Sequence, residues 1–184
     1  MSNPALDAPI ARNLQAALRR AFNTSKQPFG ETASIYQMAA TTRRPGYDPE
    51  LDKWPSGWDA LGQSGLIRSY LRSLAPQHSG ALMAQYGAGK DRINGQRVVR
   101  DYVIQKRTTD GYSTAHIRNR KLTYELVARH FGKPVMLESL AIRFKIHPNT
   151  VGRHCAEIAL VCIDVLSMAE YVADSDLRER GVLL

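Results

Sequence analysis

The sequence has few cysteines, and their spacing argues against a cross-link. Cys155 and Cys162 lie seven residues apart in one apolar stretch. On a helix this spacing separates them by about 10 Å, which is too far for a disulfide. The two cysteines and the adjacent His154 do not reproduce a tetrahedral zinc spacing either. We therefore expect buried free thiols, no bound metal and no cofactor.

Long apolar runs are also missing. No run approaches the roughly 18 to 20 residues that are needed to cross a bilayer. The amino-terminal segment 1–13 (MSNPALDAPIARN) lacks the basic and then apolar layout of a signal peptide. We therefore expect a cytoplasmic protein that does not have a membrane as its partner.

The common catalytic motifs are absent from the chain. No nucleotide-binding phosphate loop, zinc-protease histidine pair or nucleophile elbow occurs, and the five histidines are scattered. The segment 87–92 (GAGKDR) superficially resembles a phosphate loop, but it lacks the first glycine and a Ser or Thr after Lys90. No carboxylate pair stands out as a catalytic dyad. We expect a protein that is not an enzyme.

Basic residues outnumber acidic residues, and the excess is concentrated in one part of the chain. The chain has 17 Asp and Glu against 25 Lys and Arg, a formal net charge of +8. Such a charge indicates an anionic partner, either nucleic acid or a membrane surface. Residues 90–153 contain 14 Lys and Arg against five acids, whereas residues 154–184 contain two against six. The middle of the chain is therefore expected to meet the anionic partner.

Alternating patterns typical of strands are missing too, so we predict an all-α protein. Apolar residues at helical spacing occur in 8–22, 58–74, 79–87, 90–111, 113–131 and 137–173. Proline and glycine interrupt the polar segment 23–56, which predicts a loop or arm. We predict an N-terminal helix and flexible arm over 1–56 and a helical domain over 57–184.

The most specific pattern lies at 137–156 (LESLAIRFKIHPNTVGRHCA). It predicts two helices joined by a tight turn, in which Leu140 and Ala141 contact the second helix and Ile146 fills the turn. Pro148 suits the first turn of the second helix because it has no amide hydrogen to satisfy.

This pattern resembles the helix-turn-helix of bacterial and phage regulators, whose shorthand is L-A-x-x-F-G-V-S-x-x-T-V-x-R. The matching residues are Leu140, Ala141, Phe144, Ile146, Thr150, Val151 and Arg153. Two residues depart from it: Lys145 replaces the usual glycine and His154 replaces an aliphatic residue. The resemblance implies that the second helix enters the major groove of double-stranded DNA with its amino end.

The DNA contacts that this resemblance implies can be assigned by side-chain chemistry. Arg153 is the candidate for guanine, Asn149 for adenine or a phosphate, and Thr150 for a phosphate. His147 is expected to face outward beside them. The candidate phosphate contacts are Arg118, Arg120, Lys121, Arg129, Lys133, Arg143 and Lys145. The alternative is a helical hairpin that packs against another helix and touches no DNA.

The segment 54–172 also resembles phage antitermination proteins of the Q type, which carry a C-terminal helix-turn-helix similar to region four of bacterial sigma factors. The resemblance rests on Trp54 and Trp58, on 81–92 (ALMAQYGAGKDR), and on 169–171 (AEY). It implies a transcription regulator in the bacterial nucleoid that binds a late promoter and engages RNA polymerase. A conventional repressor or activator and a packaging protein like the terminase small subunit are the alternatives.

The apolar segment that follows the motif, 157–173, leaves two possibilities open. It packs against the central helices, or it packs against a second copy of the chain in a homo-oligomer.

Overall fold

The computed structural model describes residues 13–23, 58–110, 119–180 and 182–183. These ranges contain seven helices and no strand, which confirms the all-α class for this part of the chain. The helices are α1 (Leu14–Asn23), α2 (Trp58–Ser73), α3 (Pro76–Tyr86), α4 (Lys90–Thr109), α5 (Arg120–His130), α6 (Leu137–Phe144) and α7 (Pro148–Glu179). The predicted arm, Trp54 and Arg118 lie outside the described residues.

Two helices begin at residues other than those predicted, and local chemistry explains both. Pro76 begins α3, three residues earlier than expected, because proline fits the first turn of a helix. The helix predicted from 113 is interrupted at Asn119 and α5 begins at Arg120, while residues 113–118 lie outside the described residues. Asn119 is its non-helical cap, and the Asn119 Oδ1 accepts bonds from the amides of Lys121 and Leu122 at 3.2 and 3.1 Å.

The described chain divides into two compact units, and the first contains α1, α2 as far as Tyr70 and the chain from Asp176 onward. Inside it, the Arg68 Nε donates to the carbonyl of Ala21 at 2.9 Å. The Tyr70 hydroxyl donates to Asp176 at 3.0 Å. The first contact joins the second half of α2 to α1, and the second joins α2 to the end of α7.

The second unit, Leu71–Ser175, is built on a close crossing of α3 and α4. A Cβ added at Gly95 would lie 2.6 Å from the carbonyl oxygen of Gly80 and would also meet the backbone of Ala84. Only glycine lets two helix backbones approach so closely. Val99 and Val103, further along α4, are completely buried. The crossing therefore determines where α4 lies.

The long helix α7 has one buried face and one exposed face. Ile158, Val161 and Val165 are buried. Leu160 and Tyr171 point the other way and are 64% and 73% exposed. None of the described helices, α7 included, has the length and apolar character needed to cross a bilayer.

The two thiols are free and differ in exposure. Cys162 is buried, whereas Cys155 is partly exposed, so the expectation of two buried thiols is wrong for Cys155. Burial, and secondarily the nearby Cys155, raises the pKa of Cys162 to about 12. Within the described ranges, no group of three His, Cys, Asp or Glu residues is placed to hold a metal ion.

Candidate nucleic-acid interface

The turn between α6 and α7 has a defined backbone geometry. Lys145 adopts the left-handed conformation with φ 54° and ψ 47°. The amide of Ile146 donates to the carbonyl of Ala141 at 3.0 Å, and the amide of Lys145 donates to Ile142 at 3.2 Å. These two bonds form a Schellman motif, the usual way to end a helix sharply.

Lys145 occupies a position that favours glycine, and it is the only non-glycine residue with positive φ in the described ranges. A residue with a Cβ costs about 1 to 2 kcal/mol in this conformation. The departure from the helix-turn-helix pattern therefore leaves the turn formed but strained.

The start of α7 is capped by the residue before it. The His147 carbonyl accepts the amides of Thr150 at 2.9 Å and Val151 at 3.2 Å. The His147 Nδ1 accepts the amide of Asn149 at 3.3 Å. The bond to Val151 is the first regular bond of the helix, and His147 also satisfies two amides that a helix start leaves open, those of Asn149 and Thr150; Pro148 has no amide to satisfy. Of the two ring nitrogens, Nε2 is not used by this cap.

The first turns of α7 separate into an outward and an inward face. His147, Asn149 and Arg153 are exposed, while Thr150 is half-buried. Val151, on the opposite face, is completely buried. The predicted base-contacting residues Asn149 and Arg153 therefore lie at the surface, four residues apart on one side of the helix.

His154, which departs from the motif, is buried beside an ion pair between α7 and α4. It is only 4% exposed, and its Nδ1 lies 3.6 Å from the Glu157 Oε2. The same carboxylate oxygen accepts a bond from the Arg107 Nη2 at 2.5 Å. An aliphatic residue would pack here but could not approach Glu157 favourably. The ion pair between Arg107 and Glu157 joins α7 to the last turn of α4.

Basic side chains from three helices surround a concave space of about 260 Å³, which we call the α4–α5–α6 pocket. Its lining residues are Arg97, Arg100, Arg120, Lys121, Tyr124, Glu125 and Arg143. Three of them, Arg120, Lys121 and Arg143, are predicted phosphate contacts that the fold brings together. Arg97 and Arg100 are not among the predicted contacts, although their three-residue spacing places them on one helix face.

Two carboxylates position the cations of the pocket. Asp101 accepts two bonds from Arg100, at 2.7 and 2.8 Å, and one from Arg120 at 2.8 Å. The hydrogen bonds from Arg100 are the main reason that the pKa of Asp101 is lowered. Glu125 contacts Arg143 at 3.4 Å and accepts from Lys133 at 2.8 Å. The lining still has five cations against one acid.

The remaining predicted phosphate contacts do not line the pocket. Lys133 pairs with Glu125, and its Nζ lies 5.9 Å from the centre of the Tyr124 ring. Arg129 donates to the carbonyl of Val135, which supports the connection into α6. Lys145 is exposed at the turn. These three cations are therefore spread over the surface around α6.

A comparison of the chain with protein-family models finds no match, and a comparison with curated proteins finds none either.

Proposed function

We propose that this protein binds double-stranded DNA sequence-specifically, with the start of α7 in the major groove as a helix-turn-helix recognition helix. The observation that carries the proposal is the orientation of that start. Asn149 and Arg153 are exposed on one face, while Val151 and His154 are buried on the other. Arginine and asparagine are the side chains that pair best with guanine and adenine edges.

The basic side chains near α6 support this orientation. Arg143 is in the last turn of α6, five residues before α7 begins at Pro148. Five residues of chain span at most about 18 Å. The major groove is about 12 Å wide, so Arg143 can reach a phosphate at the groove edge while α7 lies inside it. Phosphate contacts of this kind fix register and orientation without reading sequence.

Within DNA binding, we propose transcription regulation, and specifically late-gene antitermination with bacterial RNA polymerase as the protein partner. This narrower proposal rests on the resemblance of 54–172 to Q-type proteins. A conventional regulator would footprint a palindrome as a dimer without contacting polymerase. A packaging protein would assemble into rings. Size-exclusion chromatography and pull-down with polymerase separate these three functions.

The direct test is footprinting of the purified protein on its own neighbouring genomic DNA, with and without RNA polymerase. We expect a protected site from the protein alone, at low salt, that extends when polymerase is present. If the intact chain retards no duplex at low salt, DNA binding is wrong. If a site is protected but polymerase neither binds nor changes the footprint, antitermination is wrong and a conventional regulator is favoured.

A charge-matched pair of variants tests the role of α7. Arg153→Ala removes the proposed guanine contact. Arg178→Ala removes the same charge from the same helix, 25 residues further along the chain. We expect Arg153→Ala to weaken the protected site and Arg178→Ala to leave it unchanged. An equal loss in both variants would mean that α7 contributes only general positive charge.

A further inference from the structure

The α4–α5–α6 pocket has a composition that its packing role does not require. Arg97 and Arg100 come from one face of α4, Arg120 and Lys121 from the first turn of α5, and Arg143 from the last turn of α6. Three separate helices thus direct their cations to one concave space. Cations that served solubility alone would gain by lying apart, because like charges repel.

The acids nearby do not balance these cations. Glu125 is the one carboxylate among the lining residues, and it also pairs with Lys133, which lies outside the lining. Asp101 pairs with Arg100 and Arg120 from the side. Even with both carboxylates counted, the cations are in excess, so an anion in the pocket would lower the repulsion among them.

The size and lining of the pocket restrict the kind of anion. Pockets for drug-sized organic ligands measure about 300 to 1000 Å³ and are mostly apolar. This pocket is about 260 Å³ and is lined mainly by charged groups. Guanidinium groups offer a planar fork of donors that matches phosphate oxygens in pairs, and three of the lining cations on α4 and α5 are arginines.

We propose that the α4–α5–α6 pocket is a binding site for a compact phosphate anion, one or two phosphate groups in size. It is a site distinct from the groove-reading face of α7. The phosphate comes either from the backbone of a bound nucleic acid or from a free polyphosphate. The chemistry of recognition is the same for both sources, and it does not depend on α7 reading DNA.

The probe that tests this site is inorganic pyrophosphate, added to the full chain at constant ionic strength. Because a ligand that binds only the folded state stabilises it, we expect a saturable rise of a few degrees in Tm. Sodium chloride at the same ionic strength is the reference. A shift of equal size with chloride would overturn the proposal, because general screening would then explain it.

Two double variants localise the effect. Arg97→Gln with Lys121→Gln removes two exposed cations from the pocket, whereas Arg72→Gln with Lys90→Gln removes two exposed cations that do not line it. We expect the first pair to weaken pyrophosphate binding about tenfold or more, measured by calorimetry, because two charged donors to the phosphate oxygens are lost. The second pair should bind like the wild type. Equal losses in both pairs would overturn the assignment to this pocket.

A competition experiment distinguishes the two sources of phosphate. Displacement of bound duplex by pyrophosphate, again at constant ionic strength, would identify a backbone phosphate as the occupant. Simultaneous binding of both would identify a free polyphosphate. If pyrophosphate binds and no duplex is retarded, the pocket stands and the proposed function fails. If a duplex binds and pyrophosphate does not, the pocket proposal fails and the proposed function stands.

Discussion

Two basic regions of the second unit, the turn between α6 and α7 and the α4–α5–α6 pocket, are held together in different ways. The turn depends on backbone bonds among residues 141–151, all of them close in the chain. The pocket brings Arg97 on α4 together with Arg143 on α6, 46 residues later. The backbone geometry of the turn should therefore persist when helices elsewhere in the unit shift. The pocket should change shape whenever α4, α5 or α6 moves.

The difference separates the two tasks that we propose for these regions. Reading a DNA sequence requires side chains that keep fixed positions relative to one another. The start of α7 meets this requirement because it is capped and held by local backbone bonds. Phosphate binding tolerates small displacements because it depends on the summed charge of several cations. Changes to helix packing should therefore affect phosphate binding before they affect the turn.

The largest expected effect comes from Gly95→Ala at the crossing of α3 and α4. The added Cβ would overlap the backbones of Gly80 and Ala84, which cannot move aside as a flexible side chain would. We expect a loss of about 3 kcal/mol in the free energy of unfolding, measured by urea denaturation. Pyrophosphate binding should weaken as well, because α4 carries Arg97 and Arg100.

Gly152→Ala is the control for this change. A Cβ at Gly152 would meet nothing within 4 Å, and alanine favours a helix over glycine by up to about 1 kcal/mol. We expect equal or higher stability. A destabilisation as large as that of Gly95→Ala would show that the crossing is not unusually close.

The next effect compares a base contact with a phosphate contact. Arg153→Ala should cost about 1 to 3 kcal/mol in binding free energy at one base position, because a bidentate contact discriminates bases by that amount. Lys121→Ala should weaken all duplexes alike and reduce the salt slope by about one. Binding titrations over a panel of single-base changes at several salt concentrations measure both. Unchanged affinity and specificity in Arg153→Ala would refute its assignment.

A smaller effect tests the strain in the turn. Lys145→Gly should raise the free energy of unfolding by about 1 kcal/mol, because glycine adopts positive φ without a Cβ penalty. The same substitution in the last turn of α4, Lys106→Gly, should lower the free energy of unfolding, because glycine is unfavourable in a helix. Opposite signs in thermal or urea denaturation support the left-handed turn. Destabilisation by both would contradict it.

The smallest expected effect concerns the carboxylate in the pocket. Glu125→Gln removes the negative charge that contacts Arg143 and Lys133. We expect duplex affinity at low salt to rise about threefold, with a steeper salt slope, because more cation charge becomes available to phosphates. Glu179→Gln, at the exposed end of α7, should change neither the duplex affinity nor the salt slope. Equal affinity in both variants would place the DNA backbone away from the pocket.

Sequence reasoning works well for features that a few neighbouring residues decide. The apolar spacing of Leu14, Leu18 and Phe22 predicts a buried face on α1, and all three are buried. Sequence reasoning works less well for single positions on the apolar face of a helix. Leu66 lies four residues before Tyr70, as Ile67 lies four residues before Leu71, yet Leu66 is 52% exposed. Periodicity indicates a face, but only the neighbouring helices decide how wide that face is.

The candidate site shows the same limit. The outward placement of Asn149 and Arg153 follows from the pattern around Val151, because helical spacing alone separates the two faces. The participation of Arg97 and Arg100 could not be predicted, since they were part of a general basic excess with no sign of which cations would converge. The cap at Asn119 was missed because the apolar pattern before it continues at helical spacing.

By itself the sequence determined the all-α class, the positions of most helices, and the basic middle with its acidic end, because these depend on composition and on contacts within a turn or two. The tertiary structure alone decided that α4, α5 and α6 share a pocket, that His154 meets Glu157 beside Arg107, and that Leu160 and Tyr171 remain exposed. The pocket and the pair of Arg107 with Glu157 join residues far apart in the chain, and the packing of whole helices decides which distant side chains meet and which stay exposed.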